Sequence, residues 1–200
     1  SVNFYELGVN FMDEKFKWER LKVPFVNSNI PLSMNFQEGY TTEINLQSGA
    51  WVHSLFDLMT EGTVFLIDYG MTEAEYFHPQ RSQGTLKCFS KHKSNNDPFS
   101  DIGSQDITAS VNFSNVARSA KECGFEVAGY TTQSMFLISL GIENYLKNEE
   151  NEEKKVKIAQ EIKQLVLPGA MGEVFKVMAL SKKQSVKLDG FKELDLRGRL

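Results

Sequence analysis

Cysteine is scarce in this chain of 200 residues. Cys88 and Cys123 cannot make the kind of disulfide framework that staples small secreted folds, and they fit a reducing compartment. No apolar run approaches the roughly 20 residues needed to cross a membrane; residues 135–140 are far too few. The N-terminus shows no basic stretch followed by an apolar core, so no secretory signal is expected. Positive charge is not in excess either. The 22 Lys and Arg against 26 Asp and Glu leave a net charge of −4, which disfavours non-specific binding to nucleic acid or an anionic membrane. Several chemical signatures are missing too: no G-x-S-x-G elbow, no P-loop, no H-E-x-x-H and no G-x-G-x-x-G turn. There is no internal repeat. A cytoplasmic protein with no membrane or nucleic-acid partner is the expectation.

What is present is ordinary in bulk and specific in detail. A hydrophobic share of 41% and a charged share of 24% are those of a soluble globular chain, and this length buries a sizeable core in one domain. Tyr5, Leu7 and Val9 alternate with polar neighbours, as do Phe16 and Trp18 after the break at Asp13, Glu14 and Lys15, which predicts a hairpin. Residues 24–40 read as irregular. Val52, Leu55, Phe56 and Met59 fall at i, i+3, i+4 and i+7 and predict a helix over 43–61, with Gly62 at its stop. Residues 63–67 form a short apolar, β-rich run of the kind buried on both faces of a parallel sheet.

That run ends in Asp68, Tyr69 and Gly70, where open α/β sheets place their ligands. Some forty residues of polar, glycine-containing loop follow, a length that is usually functional or disordered; the variety of its polar residues points to function. Phe113, Val116, Ala117 and Ala120 then predict a helix stopped at Gly124, and 125–131 a strand. Further helices are predicted over 135–147 and 152–167, the latter with Ile158, Ile162, Leu165 and Val166 on one face. Residues 174–181 close as a strand, and 182–200 read as a surface tail. The rhythm is α/β, that of a doubly wound sheet. Residues 1–40 are expected to be a hairpin and irregular insertion, 41–181 the α/β core, and 182–200 the tail of a single or partial domain.

The candidate site residues each admit a second role. Asp68 either serves a site or caps a turn beside Gly70, and Tyr69 either serves the same site or packs against the loop. Glu43 either lines a pocket or sits in a helix first turn, where an acid is favourable. Arg81 either meets a ligand or bridges the loop to an acidic side chain. Gln105 and Asp106 either serve a site or form, with Thr108, a capping turn. His78, Cys88 and His92 could be imagined around a metal, but structural zinc sites present paired ligand clusters and no fourth ligand of standard spacing is evident. No metal is expected, and a loop cysteine packed under Phe89 is the simpler reading. His53 and Cys123 read as structural.

A family resemblance runs through the same residues. Leu66 to Gly70, Arg81 with Gly84 to Phe89, His92, Asp97-Pro98, Gln105 to Ala109 and Val111 to Phe113 match in order. So do Gly129 to Gln133, Phe136-Leu137, Gly141-Ile142, Pro168, Met171 to Glu173 and Phe175 to Val177. Together they resemble the C-terminal half of the MidA-like methyltransferases, which include bacterial proteins and a mitochondrial assembly factor for respiratory complex I. The matches are closer to the bacterial branch; Ser110 and Asn112 depart from the commoner family choices. The resemblance implies the C-terminal half of a class I, Rossmann-like methyltransferase sheet with flanking helices and the N-terminal β-hairpin as an insertion. It implies S-adenosylmethionine as cofactor, held mostly by an N-terminal half that precedes this stretch, and a protein substrate methylated on arginine. A complementary N-terminal half, or self-association, is then expected at the sheet's unpaired edge. On that reading Glu43, Asp68, Tyr69, Arg81, Gln105 and Asp106 are the candidate catalytic residues. The alternative is a non-catalytic assembly or scaffold module that binds a partner protein.

Overall fold

The computed structural model describes residues 4–24, 30–31, 36–90, 93–185 and 187–200. His92 lies outside the described residues. The chain divides into two compact units, one made of Ser1–Ile44 with Pro79–Ala109, the other of Asn45–His78 with Ser110–Leu200.

The first unit begins with the expected hairpin, β1 (Tyr5–Met12) and β2 (Lys15–Pro24), antiparallel with Val9 opposite Trp18 and Phe11 opposite Phe16. Asp13 and Glu14 both take positive φ at its turn, 53° and 61°, which twists as a two-residue hairpin loop requires.

In the second unit, α1 (Ser48–Leu58) leads into β3 (Gly62–Met71), followed by the short α2 (Glu73–Tyr76). The helix starts later than its predicted position 43, because Asn45 Oδ1 accepts from the Gln47 amide at 2.9 Å and makes a local turn first. Lys182 donates to the Phe56 and Met59 carbonyls at 2.6 Å each and so satisfies the helix C-terminus.

Back in the first unit, the long loop is not structureless. It holds β4 (Lys87–Ser90), β5 (Lys93–Asn95) and β6 (Asp106–Thr108) in a three-stranded antiparallel sheet of order β5-β4-β6, with Cys88 fully buried on the central strand. Gln105 to Thr108 therefore does not cap the next helix.

The second unit resumes with β7 (Val111–Asn112), α3 (Phe113–Cys123), β8 (Glu126–Thr132), α4 (Gln133–Ser139), α5 (Asn144–Lys147), α6 (Glu152–Val166) and β9 (Phe175–Lys182). Asn112 caps α3 by accepting from the Asn115 amide at 3.1 Å, and Gly124 ends it at φ 105°. The helix predicted over 135–147 is interrupted at Gly141, whose φ is 76°.

The second unit's sheet has the order β7-β3-β9-β8, with β3 antiparallel to β9 along its length. On one face Val52, Phe113, Val116, Ala117, Ala120, Phe125 and Tyr130 pack with Met178 and Leu180. On the other, Val177 and Ala179 pack with Phe191. The expected full burial of β3 is corrected here. It meets β7 in parallel only at Gly70 and Met71, and Phe65 and Ile67 stand 44% and 53% exposed. Among the described residues, positions 62–69 have no strand on the side away from β9. The tail also differs from expectation: Gly190 and Phe191 are buried, and the Leu196 amide donates to the Tyr130 carbonyl at 2.6 Å. Phe191 lies so close over Gly129 that a Cβ there would strike its ring. Among the described residues no helix is long and apolar enough to cross a membrane.

The core carries one flaw that can be tested. Tyr130 Oη is buried with no hydrogen-bond partner among the described residues, and an unmet buried hydroxyl costs about 1–3 kcal/mol. Tyr130→Phe is therefore expected to raise unfolding stability by about 1 kcal/mol at neutral pH, read by urea denaturation. Burial, and then the Glu75 charge, push the Tyr130 hydroxyl's pKa well above its ordinary 10.0. The stability tied to its neutral form is complete below pH 10 and falls as pH rises beyond it, since the unfolded state ionises first. The advantage of Tyr130→Phe should therefore widen above pH 10. A variant less stable than the parent at both pH values would show that the hydroxyl is satisfied.

Candidate functional site

The candidate residues fall into two groups, one in each unit. In the second unit, the alternation of β3 brings Asp68 to its C-terminal end on the same face as Leu66. Its register partner on β9 is Lys176. The Asp68 side chain is exposed, and its Oδ1 accepts from the Tyr69 amide at 2.8 Å. The Tyr69 ring is half-buried with its edge against Phe175, centroids 5.6 Å apart. Gly70 then runs so close to β7 that a Cβ would strike the Val111 carbonyl and the Phe113 ring.

Thr72 and Glu75 form a reciprocal capping box on α2. The Glu73 amide donates to Ser114 Oγ at 2.9 Å, and the Glu73 carboxylate pairs with Arg118 at 2.7 Å. These contacts fix the chain leaving β3. Lys176 donates to the Glu173 carbonyl. Burial lowers its pKa, while Glu75 and Glu173 pull it back. This end of the sheet thus presents an exposed carboxylate beside a half-buried ammonium. Lys176 and Glu75 were not singled out from the sequence, because nothing in a strand pattern marks a lysine that turns inward.

In the first unit, Glu43 is in no helix. Its Oε2 accepts from the Thr85 amide at 2.7 Å and the Thr85 hydroxyl at 2.8 Å, and its Oε1 accepts from the Leu86 amide at 3.3 Å. Gly84 precedes them at φ 74°, where a Cβ would collide with this carboxylate. Burial pushes the Tyr40 hydroxyl's pKa up, Arg81 pulls it down and Glu43 raises it again, so Tyr40, Arg81 and Glu43 share one neighbourhood. Thr85 was missed because its link to Glu43 joins distant stretches of chain, and Tyr40 because Arg81, which shares its neighbourhood, lies far along the chain.

Gln105 lies elsewhere in that unit. Its Nε2 donates to the Asp97 and Ser100 carbonyls at 3.0 and 2.6 Å, and its Oε1 accepts from Asn95 at 3.1 Å, which leaves the amide engaged in shaping the 95–105 loop. Asp106 is exposed on β6, opposite Phe89. The Cys88 thiol is held above its ordinary pKa by burial and then by Asp97, which disfavours a thiolate. Among the described residues no group of three His, Cys, Asp or Glu could hold a metal ion. A cavity of about 540 Å³ in the second unit, lined by Lys121, Phe125, Arg197 and neighbours, contains none of the candidates.

The Glu43 contacts predict a measurable effect. Glu43→Ala leaves three donors without their acceptor, a cost of about 2 kcal/mol. Deuterium exchange at the Thr85 and Leu86 amides should then quicken by about 30-fold. Unchanged exchange would mean that the loop does not depend on this carboxylate.

Residues 2–131 match the family model described as "Putative S-adenosyl-L-methionine-dependent methyltransferase". The chain belongs to this methyltransferase family. Among solved structures it is similar to a COG1565 superfamily member from Burkholderia thailandensis bound to S-adenosyl-homocysteine, with 33% identity and a TM-score of 0.91. That likeness covers 99% of this chain and 52% of the other. A native crystal structure of an uncharacterized COG1565 superfamily protein, also from Burkholderia thailandensis, matches at 34% identity and TM-score 0.90, over 98% of this chain and 54% of the other. The chain therefore spans about half the length of these relatives. No curated protein matches it. The mixed α/β fold is that of a methyltransferase family member, close to a relative solved with the demethylated cofactor.

Proposed function

We propose that this chain is the C-terminal, substrate-side portion of a MidA-like, S-adenosylmethionine-dependent methyltransferase that modifies a protein on arginine. The likeness to the S-adenosyl-homocysteine-bound relative over nearly the whole chain carries the reading. Two observations favour placing most of the cofactor site outside these residues. The sequence contains no G-x-G-x-x-G turn, and it matches only about half of that relative. The bare edge of β3, with Phe65 and Ile67 exposed beside it, is the place for a complementary N-terminal half to extend a Rossmann-like sheet.

S-adenosylmethionine, when bound, supplies a methyl group on a sulfonium leaving group. The chain's task is then to hold and orient an acceptor, since alignment for in-line attack provides much of the rate. An arginine guanidinium stays charged at neutral pH and is best gripped by carboxylates. Asp68 suits that task, because its carboxylate is exposed at a strand end. Glu43 is engaged with Thr85 and Leu86, so its contribution is to shape the loop that carries Arg81. Tyr69 follows on the opposite face of β3, where its ring packs against Phe175.

The test uses the full-length protein with S-adenosylmethionine labelled on its methyl group and a soluble protein extract as acceptor. After acid hydrolysis to amino acids, label in methylarginine is the expected result. Label on another side chain would overturn the arginine assignment alone. S-adenosyl-homocysteine binding without any transfer would favour the non-catalytic scaffold.

A further inference from the structure

Asp68 and Lys176 stand directly opposite each other on β3 and β9, so their side chains leave the same face of the sheet with Cα atoms about 5 Å apart. Opposite charges so placed ordinarily pair. Among the described residues these two do not. The Lys176 ammonium turns instead to the Glu173 carbonyl, its one acceptor among the described residues, and the Asp68 carboxylate accepts from the Tyr69 amide alone. Thr132, the neighbour of Lys176 on β8, has its hydroxyl engaged with Ser134 Oγ at 3.0 Å and with the Met135 amide at 3.3 Å. An ammonium carries three donors. Lys176 thus has two that the described residues leave unmet, in a half-buried place where an unmet donor is costly. The turn that receives the third is fixed on both sides of Glu173. The Gly172 carbonyl accepts from the Ser134 amide at 3.0 Å, and the Val174 carbonyl accepts from the Gly70 amide at 3.3 Å. The ammonium is therefore anchored at the end of the sheet that carries Asp68.

We propose that Lys176 is an acceptor-binding residue, which donates to an uncharged main-chain carbonyl of the methyl-accepting segment while Asp68 holds that segment's cationic side chain. The inference rests on the methyltransferase reading above and names a second contact of the same site. Three features choose this ligand. The unmet donors call for an oxygen, and their place opposite Asp68 assigns it to the ligand whose cation Asp68 takes. The Glu75 and Glu173 carboxylates already act on this ammonium; they repel an anionic oxygen and leave a neutral carbonyl as the fitting partner. A protein chain offers such a carbonyl at every residue, whereas free arginine offers only a carboxylate. Lys176 thereby selects an arginine within a polypeptide over the free amino acid.

The test uses the full-length protein and the acceptor protein purified from the labelled extract. Lys176→Met keeps the length of the side chain and removes its donors. It is expected to raise the acceptor KM by about 10-fold, with kcat and S-adenosyl-homocysteine affinity unchanged, the mark of a lost binding contact. In the parent protein, Nα-acetylarginine amide should compete with the acceptor at least ~10-fold better than free arginine. That comparison decides if Lys176→Met does not fold. An unchanged KM overturns the proposal, as does a fall in kcat and melting temperature with KM unchanged; Lys176 is then only a tie for the Glu173 turn. Competition by free arginine as strong as that of the amide also overturns it. A parent protein that transfers no methyl group sinks the methyltransferase reading itself. A parent that transfers it, with an acceptor KM indifferent to Lys176, sinks this proposal alone.

Discussion

Asp68→Asn is expected to lower methyl transfer by the full-length protein by about 10- to 1000-fold, the range for losing one charge-assisted contact of roughly 1.5–4 kcal/mol. The substitution keeps the shape and removes the charge. Folding should hardly change, because the described contact of this carboxylate is to the next amide, Tyr69 N–H, and an asparagine oxygen accepts that bond equally well. Steady-state kinetics and a thermal melt separate site from scaffold. If the variant melts much earlier while its folded fraction turns over normally, Asp68 is a structural residue.

Phe113→Ala is expected to produce the largest loss of stability, about 3–5 kcal/mol. The ring is 1% exposed and lies 5.4 Å from the Tyr130 ring, centroid to centroid. It also fills the space above Gly70 that a Cβ would otherwise enter. Removing it opens a cavity beneath the turn that carries the chain away from Asp68. Gly70→Ala fails for the opposite reason, since its added methyl meets both that ring and the Val111 carbonyl. The two changes should couple: Gly70→Ala is expected to cost less in the Phe113→Ala background than alone, though never nothing, because the carbonyl remains. Urea denaturation of the two single variants and the double variant measures this. Strict additivity would show that the ring and the glycine do not share that space.

Elements with their own periodicity were legible in the sequence. The spacing of Val52, Leu55, Phe56 and Met59 marks α1, and the alternation around Asp13 and Glu14 marks the β1–β2 hairpin, because each gathers its apolar side chains on a face set by a local repeat. The C-terminal position of Asp68 on its strand was legible for the same reason. Pairing was not. An apolar run at 63–67 announces a strand, but its neighbours are chosen by distant stretches such as residues 175–182. The short strands β4, β5 and β6 carry too few residues to show any period. Phe191 was invisible as a core residue because its socket is the missing side chain of Gly129, far away in sequence. The same holds for the site. Glu43 could be named as a carboxylate of interest, but its bonds to Thr85 and Leu86 belong to the fold, and Tyr40 and Lys176 acquire their surroundings only there.

The central claim is that this chain contributes the acceptor side of a methyltransferase whose cofactor is held mainly by other residues. Calorimetric titration of S-adenosyl-homocysteine into the 200-residue chain and into the full-length protein tests it most directly. The account predicts micromolar binding by the full-length protein and an affinity at least ~100-fold weaker for the chain alone, a difference of about 2.7 kcal/mol. Micromolar binding by the chain alone would contradict it.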